Sequence, residues 1–135
     1  MRRVMMIGAA SLMLSMPSVG LTKAPLRDLD VVDDGLMYLA IADRLRKECD
    51  DISPRMLRAI SRINDLKNTA KARGYSDQEI ETYRSSKSEQ KRMKTKATEW
   101  LQARGVDRND RAEFCAFGKS EIARGSQIGT LLRER

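Results

Sequence analysis

The sequence predicts an all-α protein, a small bundle of about five helices with one disulfide, preceded by a signal peptide. Composition is the first reason: hydrophobic residues make up 41% of the 135 residues, but aromatic residues make up only 4%. Alanine, leucine, methionine and long charged residues are common, and these favour helices. Runs of β-branched or aromatic residues, which favour strands, are few. Apolar residues also recur at helical spacing between helix-capping signals. The length suits one domain with a modest core.

Residues 1–20 have the pattern of a cleaved signal peptide. Arg2 and Arg3 give a basic start, residues 4–16 form a short uncharged apolar run, and residues 17–20 supply a break and small side chains. An uncleaved anchor helix is the alternative, but the run is shorter than the ~20 residues that a membrane span needs. We therefore predict cleavage after Gly20, a periplasmic or secreted mature protein, and no transmembrane anchor.

The chain is basic, with a formal net charge of +7, and it stays basic without Arg2 and Arg3. Outside the cytoplasm, where chromosomal DNA is absent, this charge favours anionic lipid, acidic glycan or an acidic protein surface as a partner. Nucleic acid is disfavoured, because one tryptophan and few other aromatic residues offer no platform for base stacking.

Residues 21–33 are predicted to be a polar lead-in, and residues 34–135 a single helical domain. Asp33 or Asp34 is expected to cap the first helix, because carboxylates favour the positive end of the helix dipole. A calcium loop beginning at Asp28 is the alternative. It is disfavoured because three of the positions that such a loop specifies hold the wrong residues.

Residues 34–49 are predicted to form the central helix. Residues 36–42 are apolar on every face, and a helix without a polar stripe is buried on most sides. Ser53 is expected to cap a second helix, with Pro54 at its first position, where the missing N–H is tolerated. The apolar residues of this second helix predict one buried stripe, formed by Met56, Leu57, Ile60, Ile63, Leu66 and Ala70.

A short third helix and a longer fourth helix are predicted next. Ser76 and Glu79 have the spacing of a capping box, so the third helix is expected to begin there and run through Tyr83. Residues 85–88 are typical of a turn. The fourth helix is predicted over residues 88–104, with one apolar side formed by Met93, Ala97, Trp100 and Leu101.

Asn109 or Asp110 is expected to cap a fifth helix. Gly118 within that helix lowers its propensity by roughly 1 kcal/mol, which indicates a close contact with another helix or a bend. Residues 127–132 form a last short turn, and their apolar side chains are expected to cover the open end of the core.

The two cysteines, Cys49 and Cys115, are expected to form one structural disulfide, as is usual in small exported domains. The chain-entropy model assigns roughly 4 kcal/mol of stability to a crosslink across a loop of that size. A redox-active or metal-binding pair is the alternative. It is disfavoured because the chain has no Cys-x-x-Cys motif and no histidine to complete a metal site.

The absence of histidine excludes Ser-His-Asp and Cys-His catalysis, and histidine-ligated zinc, copper or haem, within this chain. Ser88 and Lys91 match the Ser-x-x-Lys motif of penicillin-binding enzymes, but the companion motifs are imperfect, so Ser88 is interpreted as a helix start. Aspartate and glutamate are plentiful, but no pattern places two of them in one cleft. We therefore predict no catalytic residue, no metal site and no cofactor.

The most suggestive surface feature is a basic cluster around the fourth helix. Two interpretations stay open: a solvated helix face, which is favoured, or the footprint of an anionic partner. The cluster consists of Arg84, Lys87, Lys91, Arg92, Lys94 and Lys96.

Three segments carry a recognisable pattern: Gly-Tyr-Ser-Asp-Gln-Glu-Ile-Glu-Thr-Tyr at residues 74–83, Phe-Cys-Ala-Phe-Gly at residues 114–118, and Gly-Ser-Gln-Ile-Gly at residues 125–129. Together with the leader and a helix ending near Cys49, they resemble a family of short exported alphaproteobacterial proteins that is classed only as a domain of unknown function. The resemblance covers nearly all of the mature chain. It implies no activity and no catalytic residue, and it supports the pairing of Cys49 with Cys115.

Three functions follow, in order of preference. The first is a non-enzymatic interaction or chaperone-like module that binds another envelope protein. The second is an electrostatic binder of anionic lipid or glycan through the basic fourth helix. The third is a small enzyme that uses carboxylate chemistry.

Overall fold

The computed structural model describes residues 23–135, which form five α-helices and one antiparallel pair of short strands. The predicted signal peptide at residues 1–20 lies outside the described residues. No helix within residues 23–135 is long and apolar enough to cross a membrane. The predicted all-α class, with about five helices and one disulfide, is confirmed. The elements are α1 (Asp30–Glu48), β1 (Ile52–Pro54), α2 (Met56–Ala72), α3 (Asp77–Ser85), α4 (Lys87–Gln102), α5 (Arg111–Arg124) and β2 (Leu132–Glu134).

Helix α1 is the central helix, as predicted, and it contacts α2, α4, α5 and β1. Met37, Ile41 and Leu45 are fully buried along one of its sides. The helix begins at Asp30 rather than Asp34, and Leu29 precedes it without any side-chain cap. The predicted capping role of Asp33 or Asp34 is therefore wrong. Asp33 instead lies inside the first turn and is buried.

The predicted start of the second helix at Ser53 and Pro54 is also wrong. Ile52–Pro54 is strand β1, which pairs with β2 so that Ser53 lies opposite Arg133. The Ser53 hydroxyl accepts a hydrogen bond from Arg135 Nε at 2.8 Å, so it does not cap a helix. Helix α2 begins only at Met56. A local capping signal was overridden by a strand partner from the far end of the chain.

Only the inner part of the predicted α2 stripe is buried. Leu66 and Ala70 are in the core, and Leu66 packs directly on Gly35 of α1. The other four residues are exposed, contrary to prediction, because α2 packs on α1 through a neighbouring side of the helix. Their exposed fractions are 55% for Met56, 84% for Leu57, 50% for Ile60 and 38% for Ile63.

The predicted capping box is confirmed: Glu79 N–H donates to the Ser76 hydroxyl, and Ser76 N–H donates to the Glu79 carboxylate. Asp110 caps α5, one of the two predicted alternatives. Helix α4 begins earlier than predicted, because Ser86 caps it in place of Ser88.

Close packing at Gly118 is confirmed. A Cβ atom at Gly118 would lie 2.7 Å from Leu45 Cδ2 and 2.9 Å from Ile52 Cδ1, so these two side chains pack directly against the bare backbone of α5. The C-terminal segment then covers the open end of the core, as predicted, with Ile128, Leu131 and Leu132 buried.

The predicted disulfide between Cys49 and Cys115 is present, with a Cα–Cα distance of 5.7 Å. It links the C-terminal end of α1 to α5. Strand β1 begins three residues after Cys49, so the disulfide and the strand pair hold the same corner of the molecule. Cys49 itself is buried within the main hydrophobic cluster.

Replacing both cysteines, Cys49→Ser with Cys115→Ser, is expected to lower the free energy of unfolding by about 2–4 kcal/mol, because the crosslink spans 66 residues of chain. Urea unfolding of the oxidised protein and the variant measures the change. Thiol reduction of the parent protein is the control and should lower its stability to a similar extent. Equal stability of variant and oxidised parent would contradict the assigned role of this corner.

Gly129→Ala is expected to destabilise the docked C-terminal segment by about 2 kcal/mol or more. A Cβ atom there would lie 1.8 Å from the Glu121 carbonyl oxygen, which is held in place by the N–H groups of Gly125 and Ser126. Because the obstacle is backbone, no rotamer change relieves the clash. The same urea experiment tests this, with Thr130→Ala as the matched neighbour that should change stability far less.

Candidate functional site

Asp33 is the centre of a charged cluster that links α1, α3 and α4. Its side chain is only 3% exposed. The Tyr83 hydroxyl donates to Oδ1 at 2.6 Å, Arg92 Nη2 donates to Oδ1 at 2.5 Å, and Lys96 Nζ donates to Oδ2 at 2.6 Å. A fourth hydrogen bond runs from Arg92 Nη1 to Oδ2 at 3.2 Å. Both oxygens of the buried carboxylate are therefore fully used.

Neighbouring charges extend this Asp33 cluster to the surface. Arg92 Nε donates to Glu89 at 2.8 Å, and Arg27, in the turn before α1, also pairs with Glu89. Lys96 pairs with Asp34 as well as with Asp33. Its Nζ lies 2.5 Å from Oδ1 of Asp34, which is at the half-exposed edge of the cluster. Each buried charge thus has an opposite charge beside it, which offsets the desolvation cost of placing ions in the interior.

The pKa values follow from these contacts. Burial alone would raise the pKa of Asp33, but hydrogen bonds from Arg92, Lys96 and Tyr83 outweigh it and hold that pKa at about 2. Burial, reinforced by the Asp33 charge, raises the pKa of the Tyr83 hydroxyl. The hydrogen bond to Asp33 raises the pKa of Arg92. Asp33 is therefore ionised at neutral pH, and its oxygens already accept hydrogen bonds from Tyr83, Arg92 and Lys96. This suits a structural role rather than that of a general base.

The predicted basic cluster is divided by the structure into two groups. Arg92 and Lys96 point inward to Asp33, and Arg84 pairs with Glu81 at 2.6 Å. By contrast, Lys87, Lys91 and Lys94 are exposed on one face of α4, and none of them forms an ion pair with another residue in the described range. Of the six residues of the predicted cluster, only these three lysines remain available to an outside anion.

The inward group was missed at the level of sequence, although a signal for it exists. Asp33 lies one helical turn before Met37, which with Ile41 and Leu45 forms the most buried side of α1. A carboxylate on such a stripe requires a cation from a facing helix. Sequence alone does not say which helix faces it, so Arg92 and Lys96 were assigned to the surface.

The exposed apolar surface of α2 is the other candidate site. It consists of Met56, Leu57, Ile60 and Ile63, which project from the first two turns of the helix, and we name it the α2 apolar face. No acidic residue lies in the first turn of this helix. Contiguous exposed apolar side chains of this kind on a folded domain are typical of a protein contact surface.

A family model matches residues 24–133, and its description is a family of unknown function (DUF5333). The chain belongs to this family. The match confirms the predicted resemblance to a family without assigned activity, whereas the exported, alphaproteobacterial and two-cysteine character of that family stays a prediction. No curated protein and no solved structure matches the chain.

The DUF5333 match spans all five helices and both strand segments apart from the end of β2. Both cysteines, the Asp33 cluster and the α2 apolar face therefore all lie inside the family segment. Because DUF5333 has no assigned activity, any function has to be argued from these features themselves.

Asp33→Asn is expected to lower the free energy of unfolding by about 2–3 kcal/mol at pH 7, because it removes the negative charge between Arg92 and Lys96. Asp34→Asn, on the half-exposed rim, is the matched control and should cost less than about 1 kcal/mol.

The pH dependence gives a second test of the same variant. A pKa lowered from 3.8 to about 2 contributes stability above pH ~4, and this contribution is lost as the pH falls towards ~2. The stability difference between parent and Asp33→Asn should therefore be constant from pH 7 to about 4 and shrink below it. A difference that disappears between pH 7 and 5 would contradict the assignment.

Proposed function

We propose that this protein is a non-enzymatic interaction module that binds another envelope protein through the α2 apolar face. The carrying observation is the exposure of four large aliphatic side chains on two turns of one helix, with Leu57 84% exposed. The proposal gives the protein no catalytic step. The buried carboxylates among residues 23–135, which are Asp33, Glu89 and Glu121, are each paired with a cation.

The energetics support an apolar contact. Full burial of a Leu, Ile or Met side chain is worth roughly 1.5–3 kcal/mol, so four that are about half exposed offer on the order of 4 kcal/mol before association costs are subtracted. That is enough for a contact centre of the size found in protein interfaces, where a few side chains supply most of the binding free energy. It is also largely insensitive to salt.

The way in which α2 is fixed to the rest of the fold supports binding of a partner protein to the α2 apolar face. Helix α2 is anchored on its inner side, where Leu66 packs on Gly35, and its N-terminal end is fixed by the hydrogen bond from Arg55 N–H to the Leu131 carbonyl at 2.8 Å. A rigid helix loses little conformational entropy when a partner binds to it. The disulfide beside the same end favours an oxidising compartment, so the proposal places the protein in the periplasm or outside the cell.

A second candidate is favoured by the three unpaired lysines of α4. Lys87, Lys91 and Lys94 present positive charge on one helix face without described acidic partners, which suits anionic lipid or glycan. Such binding would be electrostatic and would weaken as salt screens the charges.

The proposal is tested by capture of partners from the native envelope fraction on the immobilised mature chain, followed by a high-salt wash. A stoichiometric protein should be retained at high salt by the parent and lost from the variant Leu57→Ser with Ile60→Ser. Val31→Ser is the matched control, because Val31 is 46% exposed but lies on α1. Retention of the same protein by both variants would refute the role of the α2 apolar face.

The second candidate predicts a different result in the same experiment. Lipid or glycan should then elute as salt rises, and Lys87→Glu with Lys91→Glu and Lys94→Glu should abolish its capture. Arg92 is left unchanged in this variant, because its guanidinium is part of the Asp33 cluster and its reversal would disturb the fold.

A further inference from the structure

Two cavities lie end to end along the seam between α1 and α4. The first has a volume of about 340 Å³ and an apolar lining that includes Leu36, Ala40 and Met93. The second has a volume of about 290 Å³, and its floor is formed by Ile41, Ala97, Leu101 and Phe114. Ala40 and Lys94 line both cavities, so the two are adjacent at this point. Each is close to the lower end of the size range of small-molecule sites.

Three charged side chains line the first cavity. Arg84 is paired with Glu81, and Glu89 with Arg92 and Arg27, whereas Lys94, which also lines the second cavity, forms no ion pair within the described part of the chain. Tyr83 and Gln90 also line this cavity, but most of its accessible lining is apolar, so its interior is suited to a hydrocarbon chain.

The second cavity is cationic. Arg44 and Lys47 line it but are paired with Glu48 and Asp43. Lys94 and Arg108 also line it, and neither forms an ion pair within the described part of the chain. Arg108 Nη1 donates to the Thr98 hydroxyl at 3.2 Å, which positions the guanidinium at the cavity edge. Two cations beside an apolar floor are suited to a carboxylate or a phosphate.

We propose that this seam binds a single-chain anionic amphiphile of the fatty-acid class. The acyl chain occupies the cavity lined by Leu36 and Met93, and the acidic head group contacts Lys94 and Arg108 in the adjoining cavity. Charge complementarity selects an acid over a neutral lipid. Cavities of this size can hold one acyl chain. They are too small to serve as the contact surface for a folded protein, which would bury about 800 Å² on each side.

This site is independent of the proposed protein contact. Its lining comes from α1, α3, α4, α5 and the loop between α4 and α5, and no residue of α2 is part of it. The variant Leu57→Ser with Ile60→Ser should therefore bind the amphiphile as the parent does, so failure of one proposal leaves the other standing.

The test is titration calorimetry of the oxidised mature chain with dodecanoate below its aggregation threshold, and with dodecanol as the neutral analogue. One dodecanoate should bind per chain. Lys94→Gln with Arg108→Gln should weaken dodecanoate binding about tenfold and leave dodecanol binding unchanged. The matched control is Lys87→Gln with Lys91→Gln, which removes the same charge from residues that line neither cavity.

A second variant tests the apolar half. Ala40 is exposed and lines both cavities, so Ala40→Phe should block the seam and abolish binding of both ligands while circular dichroism shows a folded helical protein. Equal loss of affinity in the two double-glutamine variants would show non-specific charge binding and overturn the site. Binding to phosphatidylglycerol vesicles without binding of monomeric dodecanoate would also overturn it, because the contact would then be with a membrane surface.

Discussion

The burial of α1 on most of its sides is the constraint on which the rest of this structure depends. The apolar side chains of that helix pack against aliphatic and aromatic side chains from α4, α5 and the C-terminal segment. Its buried carboxylate, Asp33, is paired with cations from α4. Because one helix contacts nearly every other element, it belongs to both buried clusters, with Met37 and Ile41 in the larger one and Val32 in the smaller one.

Meeting that constraint determines what remains on the surface. Arg92 and Lys96 are used inside to neutralise Asp33, so the basic surface of α4 is narrower than its composition suggests. Helix α2 has α1 on one side only, and its apolar content exceeds what that contact can bury. The surfaces open to partners are thus the ones left over after α1 has been covered.

The features that could be predicted from sequence are local ones or follow from composition. The capping box at Ser76, the Asp110 cap and the tight contact at Gly118 depend on a few neighbouring residues, and the disulfide on having two cysteines. The errors concern long-range geometry. Strand β1 forms only because β2 lies beside it, and the role of Asp33 depends on which helix faces it. Periodicity identifies an apolar face but does not show whether a neighbouring element covers it. For this reason the α2 stripe was wrongly predicted to be buried along its whole length.

The pairing of β1 with β2 has a consequence for the order in which this molecule can assemble. Ile52–Pro54 and Cys49 are separated from Leu132–Glu134 and Cys115 by at least three helices along the chain, so the corner beside α1 gains its strand partner and its thiol partner only when these distant segments meet. The adjacent end of the core stays open to water until residues 128–134 arrive. Closure of the fold therefore depends on long-range contacts, which form slowly because a long loop has to be closed before they contribute stability.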